Sequence, residues 1–265
     1  MEYGICLLMS IPMRAADSHQ SEMVSQLLFG ETYTVLESTP EWLRIATTDC
    51  GYEGWISFKQ HSELNEEEFA AYWNQPHYKV SHLFLSVLNT SANFNFPVCL
   101  GSQFPVPQDG IFTLAGLQFA VDIPQEKPLI MENGLTEAQG RLGLIAAQYL
   151  NTPYLWGGRT PAGIDCSGFV QNVFSCLGIA LPRDASQQVM HGQTVDFIQE
   201  AQFGDVAFFG DEEGRIVHTG IVCGPQQIIH ASGYVQINSL DGTGIFHPTL
   251  HRYTHQLRTI KRLLE

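Results

Sequence analysis

NTPYLWGGRTPAGIDCSG, Asn151 to Gly168, is a loop rich in Gly and Pro that ends in a cysteine. Directly after it, Phe169, Val170, Val173, Phe174 and Leu177 recur at i, i+1, i+4, i+5 and i+8, the spacing of an amphipathic helix. Cys166 therefore falls in the first turn of a helix with a buried apolar face. The unpaired N–H groups and positive dipole end there favour an anion and are expected to lower a thiol pKa. They also offer backbone donors where a tetrahedral oxyanion would form. Most free cysteines are inert packing. Ser167, Gly168 and the loop ahead favour a nucleophile, and histidines downstream must decide.

Upstream, Thr136-Glu137-Ala138-Gln139 is a capping-box pattern, and it opens a helix with Leu142, Ile145, Ala146, Tyr149 and Leu150 on one face, ending before Pro153. Downstream, strand-like runs occupy Asp205–Phe209, His218–Cys223 and Gln227–His230, with a last strand over Leu257–Leu263. Helices followed by antiparallel strands make an α+β domain. Of ten histidines, His218 begins one apolar run and His230 ends the next. A hairpin would bring them together, one as base for Cys166 and the other holding its ring in the right tautomer. His19, His61, His77, His82, His191, His247, His251 and His255 read as ordinary histidines. A metal site is the weaker alternative, because the spacing matches no common ligand motif.

Pro153-Tyr154-x-Trp156-Gly157-Gly158, Asp165-Cys166-Ser167-Gly168-Phe169-Val170, Gly204-Asp205-Val206, His218-Thr219-Gly220-Ile221 and His230-Ala231-Ser232 resemble, in order, the NlpC-type bacterial cell-wall peptidases. These are papain-like cysteine peptidases that cleave murein stem peptides, and the likeness covers about residues 135 to 262. It implies Cys166 as nucleophile, His218 as general base and then acid, and His230 as the orienting third member. It further implies Tyr154 as an oxyanion partner of the Cys166 amide, and Trp156 and Ser167 lining the substrate cleft. Asp184 matches a position that contacts the diamino acid end of the peptide, and Arg183 before it is expected to bind substrate with it. The following family position is often Ser, and here it is Ala185.

Ahead of this domain, residues 1 to about 60 read as short strands, among them Tyr33–Leu36, Trp42–Ile45 and Gly54–Ile56, with Ile5–Met13 as another. Their order resembles a bacterial SH3-like domain, a small barrel. Leu64 to Gln75 reads as a connecting helix capped by Asn65. Strand character returns from about Tyr78 to Asp122 and suggests a second, divergent SH3-like barrel, followed by a linker at Pro124–Pro128. The expected organisation is thus 1–60 and 61–128 as two small barrels, and 129–265 as the papain-like domain. Such a pairing resembles the YkfC-like subgroup, γ-D-glutamyl-L-diamino acid endopeptidases, whose first SH3-like domain reads the free amine of an N-terminal L-Ala. By that resemblance Glu22 is the acidic reader and Tyr52 its aromatic neighbour.

The chain of 265 residues carries a net charge of -14, which argues against nucleic acid and against an anionic membrane surface. No signal peptide and no run of about 18 apolar residues is visible, so a cytoplasmic monomer is expected. Six scattered cysteines without a C-x-x-C pair suggest reduced thiols, neither zinc site nor disulfide framework. No metal or organic cofactor is expected. The function so read is hydrolysis of a murein peptide bearing a free N-terminal L-Ala. A secreted wall-remodelling hydrolase and a non-catalytic wall-binding protein are the alternatives.

Overall fold

The computed structural model describes residues 2–124 and 136–264. They divide into two compact units, one of 2–124 with Trp156–Pro161 and the other of 136–155 with 162–264. The expected linker, beyond Pro124, and the boundary at 128/129 lie outside the described residues.

The first unit begins with a seven-stranded antiparallel sheet. Its order is Met23–Leu28, Ser10–Arg14, Glu53–Ser57, Trp42–Thr47, Thr32–Ser38, Glu2–Ile5 and Glu63–Leu64. Alternating side chains of these strands bury Ile11, Met13, Leu27, Tyr33, Leu43, Ile45 and Ile56 in one core. The run expected as one strand at Ile5–Met13 is two strands. The chain turns between them, where the Cys6 thiol donates to the Leu8 carbonyl. The helix Glu66–Trp73 follows with a complete capping box, the Asn65 side chain accepting from Glu68 N–H and Glu68 returning to Asn65 N–H. Next, Phe94–Cys99, Phe84–Asn89, Leu117–Val121 and Ile111–Leu114 form a four-stranded sheet, and His77–Lys79 pairs with Gln103–Pro105. Val80, Phe104, Phe112 and Phe119 share their core with Ile5, Phe29 and Leu64, so residues on both sides of position 60 are buried together.

One stretch of later sequence folds into this unit. Arg159 makes a buried two-pronged pair with Glu31, at 2.8 Å on both prongs, and donates to the Gln26 carbonyl. Gly157 has φ +74, and a Cβ there would meet the Met23 carbonyl oxygen at 2.2 Å. Glycine at position 157 is therefore a requirement of close backbone approach.

In the second unit the capping box at Thr136 and Gln139 opens the helix Glu137–Gln148 as expected. Cys166–Ser175 is the second helix, with Phe169, Val170, Val173 and Phe174 fully buried. A seven-stranded antiparallel sheet runs Gln193–Val195, Arg252–Arg262, Val206–Gly210, Ile216–Gly224, Gln227–Ser232, Tyr234–Leu240 and Gly244–His247. An additional pairing joins Gly244–His247 to Arg252–Arg262 and closes six of these strands into a ring. The sequence reading missed Tyr234–Leu240 and Gly244–His247, and it started the last strand five residues late. The whole is α+β with strands predominating. None of the six cysteines forms a disulfide. No helix among the described residues is long and apolar enough to cross a membrane.

Candidate active site

Cys166 sits at the N-terminus of its helix because Asp165 caps it, its Oδ1 accepting from Gly168 N–H at 2.7 Å. A buried cation braces that cap. Arg183, 2% exposed, donates from Nη1 to Asp165 Oδ1 and Ser167 Oγ and from Nη2 to Asp165 Oδ2. Gln188 donates to the Ser167 carbonyl at 3.0 Å. The guanidinium and the Ser167 hydroxyl, expected to meet substrate, are here engaged in fixing the first turn. Asp184 is half-buried at the start of the short helix Ala185–Gln188.

The strands that carry His218 and His230 pack against the Cys166 helix. The Thr219 backbone favours the thiolate form of Cys166, and the Thr219 hydroxyl anchors to the Ala207 carbonyl. His218 precedes Thr219 in the same strand, and its Nε2 lies 2.8 Å from His230 Nδ1. His230 Nε2 lies 2.8 Å from Asn238 Oδ1. A carbonyl oxygen can only accept, so His230 carries its proton on Nε2. Its bare Nδ1 then accepts from His218 Nε2–H, which leaves His218 Nδ1 unprotonated and able to take a proton from a thiol. Room for the His230 ring comes from Gly220, where a Cβ would stand 2.7 Å from His230 Cβ.

Tyr154 is held by Tyr154 N–H on the Gly233 carbonyl, at 2.9 Å, and by an isolated bridge to Ile164. Burial first, then the Cys166 sulfur and Asp165, push its pKa up, so the hydroxyl remains a donor.

Residues 151–254 match the NlpC/P60 family, and residues 13–60 match the bacterial dipeptidyl-peptidase Sh3 domain. The chain carries an NlpC/P60 peptidase domain behind a bacterial SH3 domain. That makes it a hydrolase, a peptidase of the cysteine type. A gamma-D-glutamyl-L-lysine dipeptidyl-peptidase of Bacillus subtilis is 28% identical over 78% of this chain and 71% of its own. Dipeptidyl-peptidase 6 of Lysinibacillus sphaericus is 26% identical over 90% and 92%. The crystal structure of an NlpC/P60 family protein from Bacillus cereus superposes with a TM-score of 0.80 over 99% of this chain and 100% of that one, at 20% identity. It shares the fold.

The electrostatics of the NlpC/P60 domain differ from the sequence expectation at one point. The Cys166 thiol is pushed up to about 12, not down, because burial outweighs every donor and Asp165 adds to it. The Thr219 backbone, Arg183 and the Ser167 backbone pull the other way, as a helix N-terminus should. At 6% exposure they do not win. His218 is driven well below its ordinary value by burial, then by His255 and His230. Burial thus favours a neutral thiol on Cys166 and a neutral imidazole on His218.

Burial also pushes His230 down to about 4, against the Asn238 bond that raises it, and His255 down to about 4. Groups that stay neutral when folded and charge when unfolded contribute stability that is present above pH 6.5 and lost as pH falls towards 4. For His230 the difference is on the order of 3 kcal/mol. Urea unfolding followed from pH 7.5 to 4.5 is expected to show falling stability with proton uptake, whereas a flat profile would contradict buried neutral imidazoles.

Asn238 was not read from sequence, although Tyr234-Val235-Gln236-Ile237-Asn238 alternates after a Ser-Gly turn and places position 238 on the His230 face. Asn238→Ala should strand the His230 donor at about 1–3 kcal/mol, lowering kcat about 10- to 100-fold with KM little changed. Asn238→Asp should instead raise the acidic limb of the kcat profile by favouring imidazolium. Equal pH profiles in all three proteins would remove Asn238 from the relay.

In the first unit, Trp156 is 60% exposed and its indole N–H donates to Glu22 Oε1 at 2.5 Å. Glu22 is exposed and Tyr52 is half-buried against the barrel core.

Proposed function

We propose that the chain is an endopeptidase for the γ-D-glutamyl–diamino acid bond of small murein peptides with a free N-terminal L-Ala. The observation that carries this reading is the hydrogen-bonded run His218, His230, Asn238, which fixes the tautomer of a candidate base on strands packed against the Cys166 helix. Cys166 Sγ attacks the γ-carbonyl of D-Glu while His218 Nδ1 takes the thiol proton. The oxyanion accepts from the Cys166 backbone N–H and the Tyr154 hydroxyl. His218 returns the proton to the amine of the leaving diamino acid, and water, activated by the same imidazole, hydrolyses the thioester to free L-Ala-D-Glu.

Substrate choice draws on two relatives matched over 78% and 81% of this chain and 71% and 68% of their own length, both named gamma-D-glutamyl-L-lysine dipeptidyl-peptidase. Glu22 supplies a carboxylate for a substrate ammonium, with Trp156 orienting it and Tyr52 as aromatic neighbour. Asp184 is the residue offered to the diamino acid end. A requirement for a free amine suits a recycled fragment better than polymeric wall. The test is mass spectrometry of L-Ala-γ-D-Glu-diaminopimelate and its N-acetyl form after incubation with the protein. Cleavage of the free peptide, lost on acetylation and reduced at least about tenfold by Glu22→Gln, is expected. Equal cleavage of both would discard the amine reader, and cleavage of neither would discard the substrate.

A further inference from the structure

His255 was read from sequence as an ordinary histidine, but closure of the strand ring carries it to the paired histidines. The strand Arg252–Arg262 pairs with Val206–Gly210 on one side and Gly244–His247 on the other. Since Phe209 also pairs with His218, the His255 ring arrives on the face of His218. The two stack with centroids 4.1 Å apart at 28°, and His230 lies 5.6 Å from His255. One ring nitrogen from each of His218, His230 and His255 falls within 4.8 Å of the others.

The outer nitrogens are already held. His230 Nε2 is on Asn238 Oδ1, and His255 Nδ1 lies 2.9 Å from the Thr254 hydroxyl. Those contacts leave His230 Nδ1 and His255 Nε2 facing the cluster. Outer hydrogen bonds of this kind orient metal-bound imidazoles. Burial keeps the rings neutral, the form that ligates. His218 and His230 are 5% and 1% exposed, while His255 is partly exposed and offers the way in. A set of imidazoles without carboxylates suits zinc, copper or nickel and not magnesium or calcium.

We propose that His218, His230 and His255 form a reversible inhibitory site for a zinc-class divalent cation. Binding needs nitrogen separations near about 3.3 Å for bonds of about 2.0 Å, so His218 and His230 part slightly and His255 draws in. His218 ligates through Nε2 by shifting that proton to its own Nδ1, so no proton is released. The shift also blocks the nitrogen that would serve Cys166. Inhibition rests on the function proposed above; binding does not.

The experiment is calorimetry of the full chain with ZnCl2, and with CoCl2 read by its absorption bands. It is run on the unaltered protein, Cys166→Ala, His255→Phe and His255→Gln. One ion per chain is expected, bound by Cys166→Ala within about threefold and by both His255 variants at least about 100-fold more weakly. MgCl2 should give no heat. In parallel, zinc should suppress hydrolysis reversibly on adding a chelator. Each His255 variant, measured against its own metal-free rate, should resist inhibition by a similar factor. Absent binding to the unaltered protein, undiminished binding by both His255 variants, or binding lost with Cys166→Ala would each overturn the site. If no peptide is cleaved, the peptidase reading fails while the calorimetry still decides the metal site.

Discussion

Cys166→Ala is expected to lower hydrolysis of the free murein peptide by at least about 10⁴-fold while leaving the fold intact. The loss is large because every other part of the proposed mechanism acts through that sulfur. His218 has no other proton to take, and the oxyanion donors face an intermediate that never forms. The fold should tolerate the change, since the helix is held by Asp165, Arg183 and its buried apolar face, none of which the substitution touches. Single-turnover assays with matched unfolding curves check both halves. Substantial residual turnover would assign the chemistry elsewhere.

Glu31→Ala is expected to destabilise the first unit by about 3–5 kcal/mol, because it leaves the Arg159 guanidinium charged and buried. Glu31 and Arg159 are 7% and 4% exposed, and Glu31 Oε2 also accepts from Leu28 N–H. The pair holds Trp156–Pro161 within the unit, so the same variant should disturb the Trp156 contact with Glu22. The double variant Glu31→Leu/Arg159→Met should recover much of the loss, because it removes both charges and leaves apolar volume. Denaturant unfolding with tryptophan fluorescence measures this. Single variants as stable as the unaltered chain would mean that the buried pair contributes little.

The place of Cys166 at a helix start was legible because it depends on local signals: an aspartate cap, a small-residue first turn and a helical apolar face. The first barrel was legible for similar reasons, its β-branched and aromatic runs separated by turn residues. Two kinds of feature were not legible. Asn238 and His255 reach the site through ring closure, a long-range register that no window of sequence encodes, and His255 has neighbours in sequence that say nothing of its stacking on His218. Arg159 was passed over because a charged residue after two glycines reads as solvated loop, and its partner Glu31 lies 128 positions away. The thiol pKa failed for another reason. The helix-terminus argument had the right sign for its own contribution, but sequence does not report how deeply the sulfur is buried, and burial is the larger effect.

The most direct test of the mechanism is the intact mass of the protein quenched in acid during turnover of L-Ala-γ-D-Glu-diaminopimelate. The account predicts an added L-Ala-D-Glu acyl group, mapped to Cys166 by peptide analysis, sensitive to hydroxylamine and missing from Cys166→Ala. Turnover with the acyl group on another residue, or undiminished turnover by Cys166→Ala, would contradict it.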